Sequence, residues 1–388
     1  MKMASQNDYR NDYRNDYNYS DKNCYNYGCN SLLLGRNLIL SIAVSLAIFA
    51  CSDNGGSTDD ADNIGKNGLL LNFTSDYTSG ELKWMNLDST TLSAGKLAFD
   101  QDSKVVAVGE NIFVLERSLG NLNCLLPQTI GDAESVLQVK LETGANPYDL
   151  AVIGEKGYIA QNGLDYIQVF NTATCTLGEK IDLPIESSSA VSVKSAGDTL
   201  LVVLQRLENW QSTKPGLLVR INASSKSVID TVQLNLFNPS SAVLNSGKLY
   251  VSAQKYDDNF AIDLEYSGIE IVDLSSKKSE VLFKGTDLSG GVSGLALDEK
   301  NQILYAIIYS AWGDAPVKPI TLSNKNLGAA LPNITDASNG LVFDGVGEKL
   351  FVADAGGLKI YFSASKTTAS ANEGENALPP YSLAISRW

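Results

Sequence analysis

The sequence has 388 residues, 44% of them hydrophobic and 19% charged, which is typical of a globular protein and long enough for one large β domain with a tail. Its formal net charge of −14 argues against nucleic-acid binding, because a phosphate backbone needs a basic surface. The sequence contains no histidine, which excludes Ser-His and Cys-His dyads and removes the commonest metal ligand. These features favour a non-catalytic protein.

Residues 1–35 form a polar, tyrosine-rich segment without apolar periodicity. Residues 7–17 repeat every four positions, as NDYRNDYRNDY. Such a composition predicts disorder, because too little apolar surface is present to form a core. The repeat favours translation of repeated DNA upstream of the true start. A native cytoplasmic extension is the alternative.

Residues 36–51 resemble the signal peptide and lipobox of bacterial lipoproteins. Arg36 precedes an apolar run at residues 38–50, which suits a secretory core and is short for a membrane span. The run ends in IFA directly before Cys51, with an aliphatic residue at −3 and a small one at −1. The resemblance implies cleavage before Cys51 and acylation of its thiol, which would hold the protein stably on a membrane. A plain signal peptide, or a short anchor with an incidental cysteine, is the alternative.

Residues 52–67 are rich in Asp, Gly, Ser and Asn, a composition that predicts a flexible tether. Ser52 occupies the position after the cysteine. In lipoproteins of Gram-negative bacteria an Asp at that position often retains the protein at the inner membrane. The resemblance therefore implies lipid anchoring in the outer membrane, facing either the periplasm or the cell surface.

Residues 146–184 contain a pattern of four short strands joined by tight turns. Asn162-Gly163 is a strong hairpin signal. Residues 166–171 place Ile167 and Val169 on one face of a strand. A four-stranded antiparallel sheet of about 40 residues is one propeller blade, and it needs neighbours to bury both faces.

Similar segments recur over residues 68–388 and predict an all-β domain, a β-propeller of seven four-stranded blades, with six or eight as alternatives. The first blade has only three strands before residue 100. The segment PYSLAI at residues 380–385 parallels PYDLAV at residues 147–152, which begins a blade. We therefore expect the C-terminal strand to complete the first blade, closing the ring and removing open sheet edges.

The strand segments YIAQ at 158–161, LYVS at 249–252 and FVAD at 351–354 resemble those of YVTN and NHL repeats. This resemblance implies a propeller, a fold that supports many functions. The segment SNGLVFD at 338–344 resembles, more weakly, a blade of gluconolactonase-like propellers. That resemblance implies that Asn339 binds a central divalent metal such as Ca²⁺. No glutamate matches in the first blade, so we expect no cofactor, with Asn339-Gly340 forming a loop turn.

Two cysteines remain in the predicted exported protein, Cys124 and Cys175. They fall in the outer halves of adjacent predicted blades. An oxidising compartment would allow them to form a disulfide. Two separate buried thiols are the alternative.

Three long loops join the second and third strands of predicted blades 4, 5 and 6, at residues 205–215, 255–267 and 310–319. In a propeller such loops lie on the face that carries the connections between blades, so we expect them to cluster. Their exposed aromatic and acidic residues suit sugar stacking or a protein partner. The candidates are Trp210, Tyr256, Asp257, Asp258, Phe260, Tyr266, Trp312 and Asp314. The alternative is that these loops pack their own aromatic rings against the blades.

The sequence thus predicts a lipid-anchored propeller of the cell envelope that binds a protein or polysaccharide partner. A lactonase-like, metal-assisted hydrolase working in the central channel is the alternative. A purely structural envelope component is a third hypothesis.

Overall fold

The structure is a computed structural model that describes residues 67–387, except positions 75, 77, 94, 96, 126–132 and 373–377. The predicted extension, the signal peptide with Cys51, and all but the last residue of the tether lie outside the described residues. Within those residues, no helix has the length and apolar content needed to cross a membrane.

Seven four-stranded antiparallel sheets form the blades of a propeller, as the sequence predicts. Blade 1 consists of β1 (Asn67–Phe73), β2 (Gly80–Asn86), β3 (Leu97–Phe99) and the C-terminal β30 (Ser382–Arg387). Blade 2 consists of β4 (Ser103–Val108), β5 (Asn111–Glu116), β6 (Asn121–Leu125) and β7 (Leu137–Lys140). Blade 3 consists of β8 (Pro147–Ile153), β9 (Lys156–Gln161), β10 (Tyr166–Asn171) and β11 (Thr176–Asp182). A 3₁₀ turn at Ala133–Ser135 precedes β7.

The remaining four blades follow the same plan. Their strands are β12 (Ala190–Ala196), β13 (Thr199–Leu204), β16 (Pro215–Asn222) and β17 (Ser227–Phe237); β18 (Pro239–Asn245), β19 (Lys248–Ala253), β20 (Gly268–Asp273) and β21 (Lys278–Lys284); β22 (Gly291–Asp298), β23 (Ile303–Tyr309), β24 (Val317–Thr321) and β25 (Asn326–Leu327); and β26 (Ala337–Asp344), β27 (Lys349–Asp354), β28 (Gly357–Phe362) and β29 (Thr367–Asn372). Blade 4 also carries a hairpin of β14 (Leu207–Glu208) and β15 (Gln211–Ser212), and helix α1 (Gly285–Leu288) links blades 5 and 6.

The C-terminal strand closes the ring, which confirms the predicted closure. Strand β30 pairs antiparallel with β1 and is the innermost strand of blade 1. The buried Ser382 hydroxyl accepts from the Val105 N–H at 2.9 Å and donates to the Ser103 carbonyl at 2.9 Å, both in blade 2. At the other end of the strand, Arg387 pairs with Asp344 of blade 7 at 2.5 Å. The last strand is therefore tied to both neighbouring blades.

The core lies between the blades, because a single sheet cannot bury both of its faces. Seven apolar clusters each combine residues of two neighbouring blades. In β10, Ile167 and Val169 face blade 4, whereas Phe170 faces blade 2. Phe170 meets Phe113 edge-on, with ring centroids 5.4 Å apart. The alternation of side chains along each strand therefore connects every blade to its two neighbours.

Candidate binding face and central channel

The long loops of blades 4, 5 and 6 lie on the face that carries the connections between blades. Tyr266 in the blade 5 loop accepts a backbone hydrogen bond from Phe237, at the junction of blades 4 and 5, at 3.0 Å. Ala315 in the blade 6 loop forms a bridge with Asp336, at the junction of blades 6 and 7. These contacts place the loops on one rim of the ring, as predicted from the topology.

The blade 4 loop is the hairpin of β14 and β15, with Asn209 and Trp210 at its tip. Both residues have positive φ, 50° and 65° respectively, which defines a two-residue type I′ turn. Gly is the usual residue at the second position of this turn, because a side chain is strained there. Trp210 occupies that position and is 80% exposed. The turn therefore holds a large ring in solvent at a conformational cost.

The blade 5 loop presents Phe260, which is 86% exposed and has a φ of 60°. Asp257 shapes this turn, because its carboxylate accepts from the backbone N–H groups of Asn259 and Ala261 at 2.8 and 2.9 Å. Asp258 beside it is exposed. Asp257 therefore acts as a turn-forming residue, while the Phe260 ring is offered to solvent.

The two tyrosines of the blade 5 loop are partly engaged by the protein itself. The Tyr266 ring packs on the Phe237 ring at 4.7 Å between centroids, and the Lys255 ammonium lies 4.4 Å from the Tyr266 centroid. The Tyr256 hydroxyl accepts from the Gln254 amide at 2.7 Å. Burial raises the pKa of the Tyr256 phenol. The alternative interpretation, that the loops pack their own rings, therefore describes Tyr266, whereas Tyr256 is held through its hydroxyl; the two residues remain 41 and 42% exposed.

The blade 6 loop presents Trp312, which is 92% exposed. Ala311 and Asp314 form a bridge around the two-residue turn, and Gly313 supplies the positive φ of 80° that the turn needs. Asp314 accepts a short hydrogen bond from the Ser310 hydroxyl, so its carboxylate stabilises the turn. Three consecutive blades thus each present one ring at the tip of a loop. We call Trp210, Phe260 and Trp312 the aromatic tips.

The second notable feature is the central channel, a cavity of about 750 Å³ lined by the inner strands of all seven blades. Asp149 is buried in its wall, with a side chain only 4% exposed. Its carboxylate accepts from the ammonium groups of Lys104 at 2.7 Å and Lys194 at 2.8 Å. It also accepts from the Ser192 hydroxyl at 3.1 Å and the Val193 N–H at 3.0 Å. This cluster links the inner strands of blades 2, 3 and 4.

The electrostatics of this cluster are set by burial and by its two cations. Burial alone would raise the pKa of the Asp149 carboxyl, but Lys104 and Lys194 outweigh it and hold the pKa well below its usual range. Burial lowers the pKa of the Lys104 ammonium, and Asp149 offsets part of that effect. The channel wall therefore holds an ionised Asp149 carboxylate in contact with the Nζ atoms of Lys104 and Lys194.

A third cation, Arg117, stands beside this cluster. Its guanidinium pairs with Asp102 at 2.9 Å and lies 3.8 Å from the centroid of the Tyr148 ring. It also donates a short hydrogen bond to the Tyr381 hydroxyl. Burial raises the pKa of the Tyr381 phenol, so this group is a neutral hydroxyl at physiological pH. The sequence analysis identified neither the cluster of Lys104, Asp149 and Lys194 nor the contact of Arg117 with Tyr381, because the residues of each lie far apart in the chain.

The described residues contain no set of metal ligands that would support a metal site at Asn339. Asn339 lies in β26, where the pairing with β27 shifts register between Ala337 and Leu341. Among the described residues, no three His, Cys, Asp or Glu side chains converge in a way that could hold a metal ion. A Ca²⁺ site takes six to eight oxygen ligands, so the Ca²⁺ hypothesis gains no support from the described residues.

Cys124 and Cys175 form a disulfide in the structure. Cys124 lies in the third strand of blade 2 and Cys175 in the turn before the outer strand of blade 3. Their Cα atoms are 6.0 Å apart and the residues are 51 positions apart in the chain. The bond therefore connects two neighbouring blades away from the channel.

Comparisons with known proteins agree on architecture. No family model and no curated protein sequence matches the chain, so the resemblance to YVTN and NHL repeats stays a prediction. Among solved structures, a putative 6-phosphogluconolactonase from Bacteroides fragilis has a TM-score of 0.58 at 14% identity, covering 85% of this chain and 99% of that one. The chain has the β-propeller fold.

Two further solved structures are similar to this chain over most of their length. Hydrazine synthase from Kuenenia stuttgartiensis has a TM-score of 0.56 at 12% identity, covering 82% of this chain and 97% of that one. Apo AztD from Citrobacter koseri has a TM-score of 0.52 at 12% identity, covering 83% and 99%. At these identities the likeness concerns the fold alone, because one fold carries many unrelated functions.

Proposed function

We propose that the protein is a binding module of the bacterial cell envelope, anchored by lipid at Cys51, whose aromatic tips contact a polysaccharide or protein partner. The observation that carries the proposal is the exposure of Trp210, Phe260 and Trp312, at 80, 86 and 92%. Large rings exposed to this degree, one per blade in three consecutive blades, are costly unless a partner covers them. Trp and Tyr rings are enriched at contact sites because they combine apolar area with polar edges.

Backbone strain supports the same proposal. Trp210 and Phe260 both sit at positive φ, where a bulky residue costs on the order of 1–3 kcal/mol. A turn selected for stability alone would carry Gly or Asn at these positions. Positive φ also occurs at non-Gly turn residues elsewhere in the ring, such as Lys226 and Lys366, so what distinguishes the turns of Trp210 and Phe260 is the large exposed ring at the strained position.

The anchor and the outer-membrane location rest on the lipobox-like sequence that ends at Cys51. A tethered domain on a membrane could present its loop face to envelope glycans or to proteins. Mass spectrometry of the mature protein tests the anchor: an acylated N-terminal Cys51 is expected. A mature chain that still contains residues 36–50 would contradict it.

The binding proposal is tested with a triple variant in which Trp210, Phe260 and Trp312 are replaced by Ala. Retention of envelope polysaccharide or protein from extracts should fall at least tenfold, while the circular dichroism spectrum and unfolding midpoint stay close to those of the parent. Val346→Ala is the matched control, because Val346 is 76% exposed on a turn at the opposite face. Protease treatment of the extract separates a protein partner from a polysaccharide. Equal retention by the triple variant would contradict the proposal.

Metal analysis of the purified protein separates this proposal from the hydrolase alternative. A binding module of this design needs no metal. A stoichiometric divalent ion, together with loss of the ion in Asn339→Ala, would instead support a metal-dependent role for the channel.

A further inference from the structure

The Lys104–Asp149–Lys194 cluster carries one more positive charge than the pairing of a carboxylate requires. A single lysine would neutralise the buried Asp149 side chain, yet two ammonium groups contact it. The lysine side chains remain 35 and 33% exposed, in contrast to the 4% of Asp149. The excess charge therefore faces the channel.

Each ammonium has unused hydrogen-bonding capacity. An ammonium carries three N–H donors. Within the described part of the chain, Asp149 is the one acceptor that the structure gives to either lysine, which leaves two donors on each. An uncompensated donor in a partly closed cavity is costly unless water or a ligand accepts from it.

The rest of the channel wall strengthens this asymmetry. Arg117 lies close enough to Lys104 to lower the pKa of its ammonium. The other charged residue in the wall is Glu299, which follows the end of β22. Lys104 and Asp149 lie near the starts of their strands, and Lys194 in the second half of β12 contacts Asp149, whereas Glu299 lies beyond the end of β22. The end of the channel at which the two lysines meet Asp149 is therefore cationic within a protein of net charge −14.

We propose that this end of the channel binds a small oxyanion, a carboxylate or phosphate group, between Lys104 and Lys194. The ligand would accept the free N–H donors of both lysines and balance the charge that Asp149 leaves over. Charge-assisted bonds of this kind are stronger than neutral ones, which suits recognition of an anionic group in a cavity. A cavity of about 750 Å³ is large enough for a phosphate ion or an acidic monosaccharide.

The test is isothermal titration of the folded protein in low-salt buffer with inorganic phosphate and with glucuronate, using glucose as the neutral control. We expect saturable binding of at least one anion and none of glucose. Binding of phosphate without binding of glucuronate identifies the ligand group as a phosphate. Binding of glucuronate without binding of phosphate identifies it as the carboxylate of an acidic sugar. Absence of saturable binding by both anions would overturn the proposal.

Lys104→Met removes the excess charge yet leaves Asp149 paired with Lys194, so the fold should persist. Anion affinity should fall at least tenfold. Lys277→Met is the matched control, because Lys277 also pairs with a carboxylate, that of Asp230 at 2.8 Å, in the outer part of the blades. Equal loss of affinity in both variants, or no loss in Lys104→Met, would overturn the proposal.

Asp149→Asn provides an independent arm. It leaves two ammonium groups without their carboxylate, so a bound anion should substitute for it. Phosphate should then raise the thermal midpoint of this variant more than that of the parent protein. An equal rise in the two proteins would count against the site. Variants of the aromatic tips should bind the anion normally, so failure here is separable from failure of the proposed function.

Discussion

Replacing Trp210 by Gly should make the protein more stable, although it removes one of the largest side chains on the surface. Trp210 has a φ of 65° in a type I′ turn, and a non-Gly residue in this region costs roughly 1–2 kcal/mol. The greater freedom of Gly in the unfolded chain offsets roughly 0.5–1 kcal/mol of that relief. Little apolar contact is lost, because the side chain is 80% exposed. We therefore expect the free energy of unfolding of Trp210→Gly, measured in urea, to be about 0.5–1 kcal/mol higher than that of the parent.

The matched control is Trp312→Gly, which should have the opposite sign. Trp312 is 92% exposed, but it does not have a positive φ. Gly there adds unfolded-state freedom without relieving strain, so stability should fall by about 0.5–1 kcal/mol. Both variants are compared by urea denaturation followed by circular dichroism. If Trp210→Gly is less stable than the parent, the ring packs against the protein, and the argument that it is held out for a partner fails.

Four other outcomes follow from the structure. Ser382→Ala should cost about 1–3 kcal/mol in urea, because it leaves the buried Val105 N–H without its acceptor, while the Ser103 carbonyl keeps its hydrogen bond from the Asn72 amide; a change below 0.5 kcal/mol would contradict the closure contacts. Deleting residues 378–388 opens the ring and should abolish a cooperative transition or reduce the free energy of unfolding by several kcal/mol, whereas an unchanged transition would refute closure. Reducing the bond between Cys124 and Cys175 should lower stability by roughly 4 kcal/mol in the chain-entropy model, checked by urea titration alongside a free-thiol assay; two free thiols before reduction would disprove the bond. The folded-state pKa of Asp149 lies below the usual 3.8, so the stabilisation that this carboxylate supplies is present above pH 3.8 and is lost as the pH falls below that value. The parent should therefore lose more free energy of unfolding than Asp149→Asn between pH 5 and 2. Equal losses in the two proteins would contradict this.

Much of the fold could be predicted from the sequence because each blade is a local unit. The hairpin expected at Asn162-Gly163 is present, but β9 and β10 are joined by the four residues 162–165 and not by a two-residue turn. This signal and the alternation along β10 located blade 3, since neighbouring strands pair across short connections. Ring closure involves the two ends of the domain. It could still be predicted, because residues 380–385 repeat the pattern that begins another blade. The strand β25 has only two residues, and such short pairings leave little trace in a sequence.

The long loops of blades 4, 5 and 6 were predicted from the sequence, and the structure shows which of their rings are exposed. Loop length indicated which blades carry these loops, but the sequence did not distinguish the exposed Phe260 from Tyr266, which packs on Phe237. That difference depends on contacts across a blade junction. The channel cluster could not be predicted for the same reason. Lys104 and Asp149 are 45 residues apart in the chain, and so are Asp149 and Lys194. This spacing is about one blade, so charged residues recurring on inner strands are a signal that a search at the blade period could detect.

The most direct test of the account is retention of envelope components by the intact, membrane-anchored protein and by its aromatic-tip variant. Vesicles displaying each form are incubated with envelope extract, washed, and analysed for bound polysaccharide and protein. The account predicts at least tenfold less bound material on the variant with Ala at Trp210, Phe260 and Trp312, and unchanged binding with Val346→Ala. Equal binding by all forms would contradict the central claim that these rings form the contact surface.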